Sequence, residues 1–87
     1  MYYIQELESI IGDANLNKEE LVALTNFSDE KVGFKESSNN DYLKDVNLQS
    51  AYRKLKERKL FGKYLKLLLN HQNDNINNFF KKMDEEL

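Results

Sequence analysis

Few side chains in this chain are of a type that does chemistry. It has one histidine, His71, and no cysteine. A Ser-His-Asp set needs a histidine within reach of two partners, and a zinc site needs several His or Cys ligands. His71 sits instead in a polar stretch, residues 70–75, and is expected to face solvent or close a helix. The acid pairs Glu19–Glu20 and Asp29–Glu30 each follow a helix-cap candidate, Asn17 and Ser28. Carboxylates are favoured there by the helix dipole, which accounts for them without acid–base catalysis. The glycines are isolated at 12, 33 and 62, so no phosphate-cradling loop is present. Asp13, Asn15 and Asn17 match the first three ligand positions of a calcium loop, but Lys18 replaces the sixth-position glycine and Leu24 the twelfth-position glutamate. Asn73, Asn75 and Asn77 alternate in the same way, with Asn78 where the glycine belongs. No catalytic residue, cofactor or metal is expected.

Charge is the next chemical signal. Residues 1–47 hold ten acids and four bases, residues 48–72 seven bases and one acid, and residues 73–87 two bases and four acids. Opposite blocks either neutralise one another on folding or leave the basic block for a partner. Within that block Lys56, Lys59, Lys63 and Lys66 fall on one helical stripe, and Tyr52 lies nearby. Such a stripe suits a phosphate backbone.

The elements that would position these groups are helical. Eighty-seven residues make one domain, 1–87, with a thin core, since a chain of this size buries only about 60–65% of its unfolded surface. Proline is absent, and nothing interrupts helices from within. Tyr3, Ile4, Leu7, Ile10 and Ile11 predict a helix over 2–12, ended by Gly12. Asn17 with Glu20 predicts a capping box, and Leu16 with Leu21 a hydrophobic staple, at the start of a helix over 18–26. Ser28 predicts the cap of a short helix over 29–35, followed by a polar loop over 35–41 and a helical turn over 41–46. A weak hairpin over 32–46 is the alternative, because Val32 and Phe34 alternate with polar residues. Asn47 is expected to cap a segment over 48–70. Its apolar face changes side midway, which predicts a bend or break between Lys59 and Gly62. A polar turn over 70–75 precedes a last helix over 75–86, carried by Ile76, Phe79, Phe80, Met83 and Leu87.

One local pattern has a family likeness. Leu21, Val22 and Leu24 occupy the apolar positions of a first helix, Asn26 a turn, Phe27 its apolar successor, Ser28 a second cap and Val32 a buried position beyond it. This segment resembles the helix-turn-helix of phage-type and bacterial repressors. The resemblance implies a DNA-reading corner over 20–35. The chain departs from that pattern at Val22, where the helices cross, at Asn26, where glycine is usual, and at Asp29 and Glu30. Those acids open the would-be reading helix and repel phosphate. A helical corner without a DNA role is the other reading.

These features predict an all-α, compact bundle of four to five short helices. Lacking cysteine, the chain suits a reducing compartment, and no apolar run reaches the roughly 18–20 residues of a membrane span. The start Met1-Tyr-Tyr-Ile-Gln-Glu lacks the basic residues of a signal peptide. The expected role is a non-catalytic cytosolic regulator or inhibitor, of microbial or mobile-element type, acting on a protein partner. Adjacent phenylalanines point about 100° apart on a helix. Phe79, Phe80 and Met83 are therefore the expected partner-binding residues, with one phenylalanine as a surface anchor for a partner or a homodimer. The alternative is a nucleic-acid-binding regulator using the corner at 20–35 and the basic helix 53–66, through Lys56, Lys59, Lys63 and Lys66.

Overall fold

Side-chain caps and left-handed residues set the helix boundaries. The computed structural model describes residues 2–33, 41–71 and 76–86. They form α1 Tyr2–Ala14, α2 Lys18–Lys31, α3 Val46–Glu57, α4 Phe61–His71 and α5 Ile76–Glu86, with a 3-10 turn at Tyr42–Lys44. No strand occurs among the described residues. The expected all-α bundle is what the chain forms. The polar loop over 35–41 and the turn over 70–75 lie mostly outside the described residues, as do Leu87 and the His71 side chain. Of the hairpin alternative over 32–46, the described part at 42–44 is helical.

The Asn17 box is present as predicted. Asn17 Oδ1 accepts from the Glu20 N–H at 2.8 Å, and Glu20 Oε1 accepts from the Asn17 N–H at 2.9 Å. Each carboxamide or carboxylate oxygen thus satisfies a backbone donor that the helix start leaves unpaired. Other boundaries differ from expectation. Gly12 does not end α1, which runs to Ala14 and stops where Asn15 turns left-handed at φ 55°. Asp45, not Asn47, caps α3, with its carboxylate accepting from the N–H groups of Asn47 and Leu48 at 2.9 and 3.2 Å.

The largest revision concerns Ser28, which caps nothing. It is fully buried inside a continuous α2, and its hydroxyl donates to the Leu24 carbonyl at 2.7 Å. The Tyr64 hydroxyl lies 2.5 Å from the same oxygen and, with the serine proton already committed, donates to it. A serine turned back on the preceding turn is unavailable to the N–H groups ahead of it, and the helix continues. Gly33 at φ +86° follows the Val32 cap and ends α2 instead.

The predicted break between α3 and α4 is present, but Gly62 does not make it. Lys59 takes φ 60°, while the Lys59 N–H bonds the Lys56 carbonyl and the Leu60 N–H bonds the Leu55 carbonyl. These two bonds are the Schellman pattern, closed by a lysine where glycine is usual and by a buried Leu60 beyond it.

The helices pack in pairs: α2 chiefly on α3, and α1 on α4. Leu24, Phe27, Leu48, Ala51, Tyr52, Leu55, Tyr64, Leu68 and Met83 are buried in one continuous cluster. α5 closes it through Ile76, Phe80 and Met83. Tyr42 packs edge-on to Phe27 at 5.3 Å, and its buried hydroxyl has no hydrogen-bond partner among the described residues.

Gly12 permits a simple prediction. It lies within α1, and a Cβ built there meets nothing within 4 Å. Gly12→Ala is expected to stabilise the protein by about 0.8 kcal/mol, because alanine loses less conformational freedom in a helix interior. Equilibrium urea unfolding reads this directly, and an unchanged or lower midpoint would show that the backbone at Gly12 is not held as α-helix in solution.

Candidate functional site

The structure does not bring the expected DNA-reading residues together. The helix-turn-helix corner over 20–35 is absent, because α2 runs unbroken through Asn26, Phe27 and Ser28. The basic stripe is divided by the turn at Lys59. Lys56 remains on α3, where its ammonium meets Asp84 at 3.1 Å and lies 5.2 Å from the Tyr52 ring centre. The Tyr52 hydroxyl also donates to Asp84. That hydrogen bond, then the Lys56 bond, holds the Asp84 carboxyl below its usual range. Burial, then the same carboxylate, pushes the Tyr52 phenol up. Bonding to Asp84 raises the Lys56 ammonium as well. This triad clasps α3 to α5.

Lys63 and Lys66 lie on α4 beside a cleft of about 440 Å³ shared with Glu6, Ser9 and Asn70 of the α1–α4 seam. Lys54 is committed elsewhere, meeting the buried Glu20 at 2.7 Å. The acidic and basic blocks thus neutralise each other in part, through Glu20–Lys54 and Asp84–Lys56.

The aromatic stripe of α5 is also redistributed. Phe80 and Met83 are core residues, at 5% and 0% exposure, and present nothing to a partner in this fold. Phe80 is the hub of the aromatic cluster, stacked on Tyr52 at 5.5 Å and meeting Phe27, Phe61, Tyr64 and Phe79 edge-on. Phe79 is half-buried. Its ring lies 4.7 Å from that of Phe27, and the Lys31 ammonium sits 5.7 Å from it. The 100° separation of the two phenylalanines does divide them, one inward and one at the rim, but the rim residue already has neighbours.

A surface that the α5 stripe did not suggest lies between α1 and α2. These helices are joined by only three residues, 15–17, yet each packs mainly on another neighbour. Between them runs an open groove of about 510 Å³. Ile4, Leu7 and Ile11 of α1 and Leu21 and Thr25 of α2 form its walls, with Gly12 leaving one end unfilled. Ile4 is 42% exposed at one end of the groove. The charged groups lining the groove, Glu8 and Asp29, are both acidic. Part of the signal was present in the sequence, in the run of apolar residues along α1. Leu7, Ile10 and Ala14 are buried, and Ile4 is left over.

Among the described residues no group of three His, Cys, Asp or Glu side chains is placed to hold a metal ion, and no helix is long and apolar enough to cross a membrane. In comparisons with protein-family models, curated proteins and solved structures, the chain matches none.

Proposed function

We propose that this chain is a non-catalytic, cytosolic regulator or inhibitor that binds a protein partner through the groove between α1 and α2. The observation carrying this reading is that groove: concave, walled by aliphatic side chains, and open on the surface of a domain otherwise dominated by charged groups. Recognition sites combine apolar walls with a few polar groups in this way. A nucleic-acid role would draw on the exposed bases Arg53, Arg58, Lys59, Lys63 and Lys66, without the corner and with Lys56 engaged at Asp84.

Gly12→Leu tests the reading, because it fills the groove at a position where a side chain meets no neighbour. Partner capture from microbial lysate, run with and without nuclease and compared between wild type and Gly12→Leu, is expected to show proteins retained only by the wild type in both conditions. Retention that Gly12→Leu leaves intact, or that nuclease abolishes, would remove the groove from consideration and return attention to the basic cluster.

A further inference from the structure

The groove also carries information about its occupant, and this step rests on the protein-binding reading above. We infer that it receives a short amphipathic helix with apolar anchors along one face and Lys or Arg beside them. Length supports a helix. The lining runs from Ile4 to Gly12 on α1 and from Leu21 to Asp29 on α2, a rise of eight residues in each case or roughly 12 Å at 1.5 Å per residue. Anchors at i, i+3 or i+4, and i+7 on an incoming helix span roughly 10.5 Å and fit within that length.

Charge selects the flanks. The two ionisable residues lining the groove are Glu8 and Asp29. Apart from Glu20, which Lys54 engages, and Glu6, which shares the α1–α4 cleft with Lys63 and Lys66, these two helices carry Glu8, Asp13, Glu19, Asp29 and Glu30 against Lys18 and Lys31. An occupant therefore enters a field of negative sign, which favours Lys and Arg and disfavours Asp and Glu.

A second copy of the chain is a poorer fit. An isologous contact would set the acids of α1 and α2 against their own copies. A docked helix needs three apolar anchors on one face. The exposed large apolar residues among those described are Ile4, Val22, Val46 and Leu69, one on each of four helices. The groove is lined by eight residues, whereas a standard stable interface uses about 20–30 a side.

The probe is an alanine-based peptide of about fourteen residues with leucines at i, i+4 and i+7 and lysines flanking them, paired with a version bearing glutamates in place of the lysines. Affinities are read by fluorescence anisotropy at low salt, and groove engagement by amide chemical shifts of Ile4, Ile11 and Leu21. The lysine peptide is expected to bind at least tenfold tighter than the glutamate peptide, with the gap shrinking in high salt. Gly12→Leu is expected to weaken it tenfold or more, and Glu8→Lys to narrow the gap between peptides at least threefold. Both variants should keep the helical signal in circular dichroism, since Gly12 is unhindered and Glu8 is exposed. If both peptides bind the groove with equal affinity, the basic-flank inference fails while the protein-binding reading stands. If neither peptide shifts the groove residues, or Gly12→Leu binds as wild type does, both fall. Wild-type dimers in sedimentation that Gly12→Leu dissociates would identify the occupant as a second copy and overturn the inference.

Discussion

Phe80→Ala is expected to lower stability by about 4 kcal/mol and Phe79→Ala by about 1.5 kcal/mol, although the two residues are adjacent and identical in type. Phe80 is 5% exposed and meets five other aromatic rings, so truncation leaves a cavity at the point where α2, α3, α4 and α5 converge. Edge-to-face and offset pairs each contribute about 0.5–1.5 kcal/mol beyond simple burial, and several are lost at once. Phe79 is half-buried and rests mainly on Phe27 and Phe80. Its loss opens a dent at the rim that water and the Lys31 stem can fill. For a domain near 90 residues, with total stability of roughly 4–13 kcal/mol, the Phe80 change removes a large fraction of what holds the fold. A melting point lower by roughly 16–30 °C is expected for Phe80→Ala and by under 12 °C for Phe79→Ala. Thermal unfolding followed by circular dichroism separates the cases, and equal losses from the two variants would refute this placement of the rings.

The same pair shows what was legible in the sequence. Periodicity placed Ile76, Phe79, Phe80 and Met83 on one broad helical face, and α5 forms where they predict it. It also implied that the phenylalanines diverge. It did not say which one turns inward, because that depends on Tyr52, Phe61 and Tyr64, whose positions follow from the α3–α4 turn. Local chemistry was legible wherever both partners lie within one turn of chain, as in the Asn17–Glu20 box. Ser28 was misleading for the opposite reason. A serine before two acids has the pattern of a cap, and the partner that holds it within a helix, Tyr64, is 36 residues away. The likeness to a repressor corner ended with that residue.

The basic stripe failed through geometry of a similar kind. A continuous helix would align Lys56, Lys59, Lys63 and Lys66, but the face change that predicted a break between Lys59 and Gly62 also excluded the alignment. The groove, in turn, was half-visible. The sequence shows a run of apolar residues along α1, yet which side stays open depends on α1 choosing α4 and α2 choosing α3. Pairing preferences between helices are set by ridges, grooves and long-range charge, none of which one-dimensional periodicity encodes.

Long-range charge also accounts for the second large effect expected. Glu20 is 3% exposed, and its carboxylate accepts from the Asn17 N–H and from the Lys54 ammonium at 2.7 Å. Burial by itself pushes the Glu20 carboxyl up. The Lys54 and Asn17 hydrogen bonds and the lysine charge together outweigh it, and the group titrates below its ordinary value. A depressed folded value means that the pair stabilises the protein above the unfolded carboxyl range, and that this contribution fades as pH falls through about 4.5 and below. Lys54→Met keeps the apolar stem against the helix and removes the charge. Glu20 is then a buried carboxylate opposed mainly by its cap, and burial moves its titration upward. Removing one partner of a fully buried pair costs about 3–5 kcal/mol. The Lys54 side chain is 35% exposed, so water offsets part of that loss and about 2 kcal/mol is expected at pH 7. The variant gains stability as Glu20 takes up a proton above the unfolded carboxyl value, and the wild type loses its own contribution as pH falls through about 4.5 and below. The deficit is therefore expected to shrink steadily from pH 7 to pH 4. Urea unfolding of both proteins at several pH values measures the difference, and a deficit that is constant or grows toward acid would show that Glu20 does not depend on Lys54 for its charge.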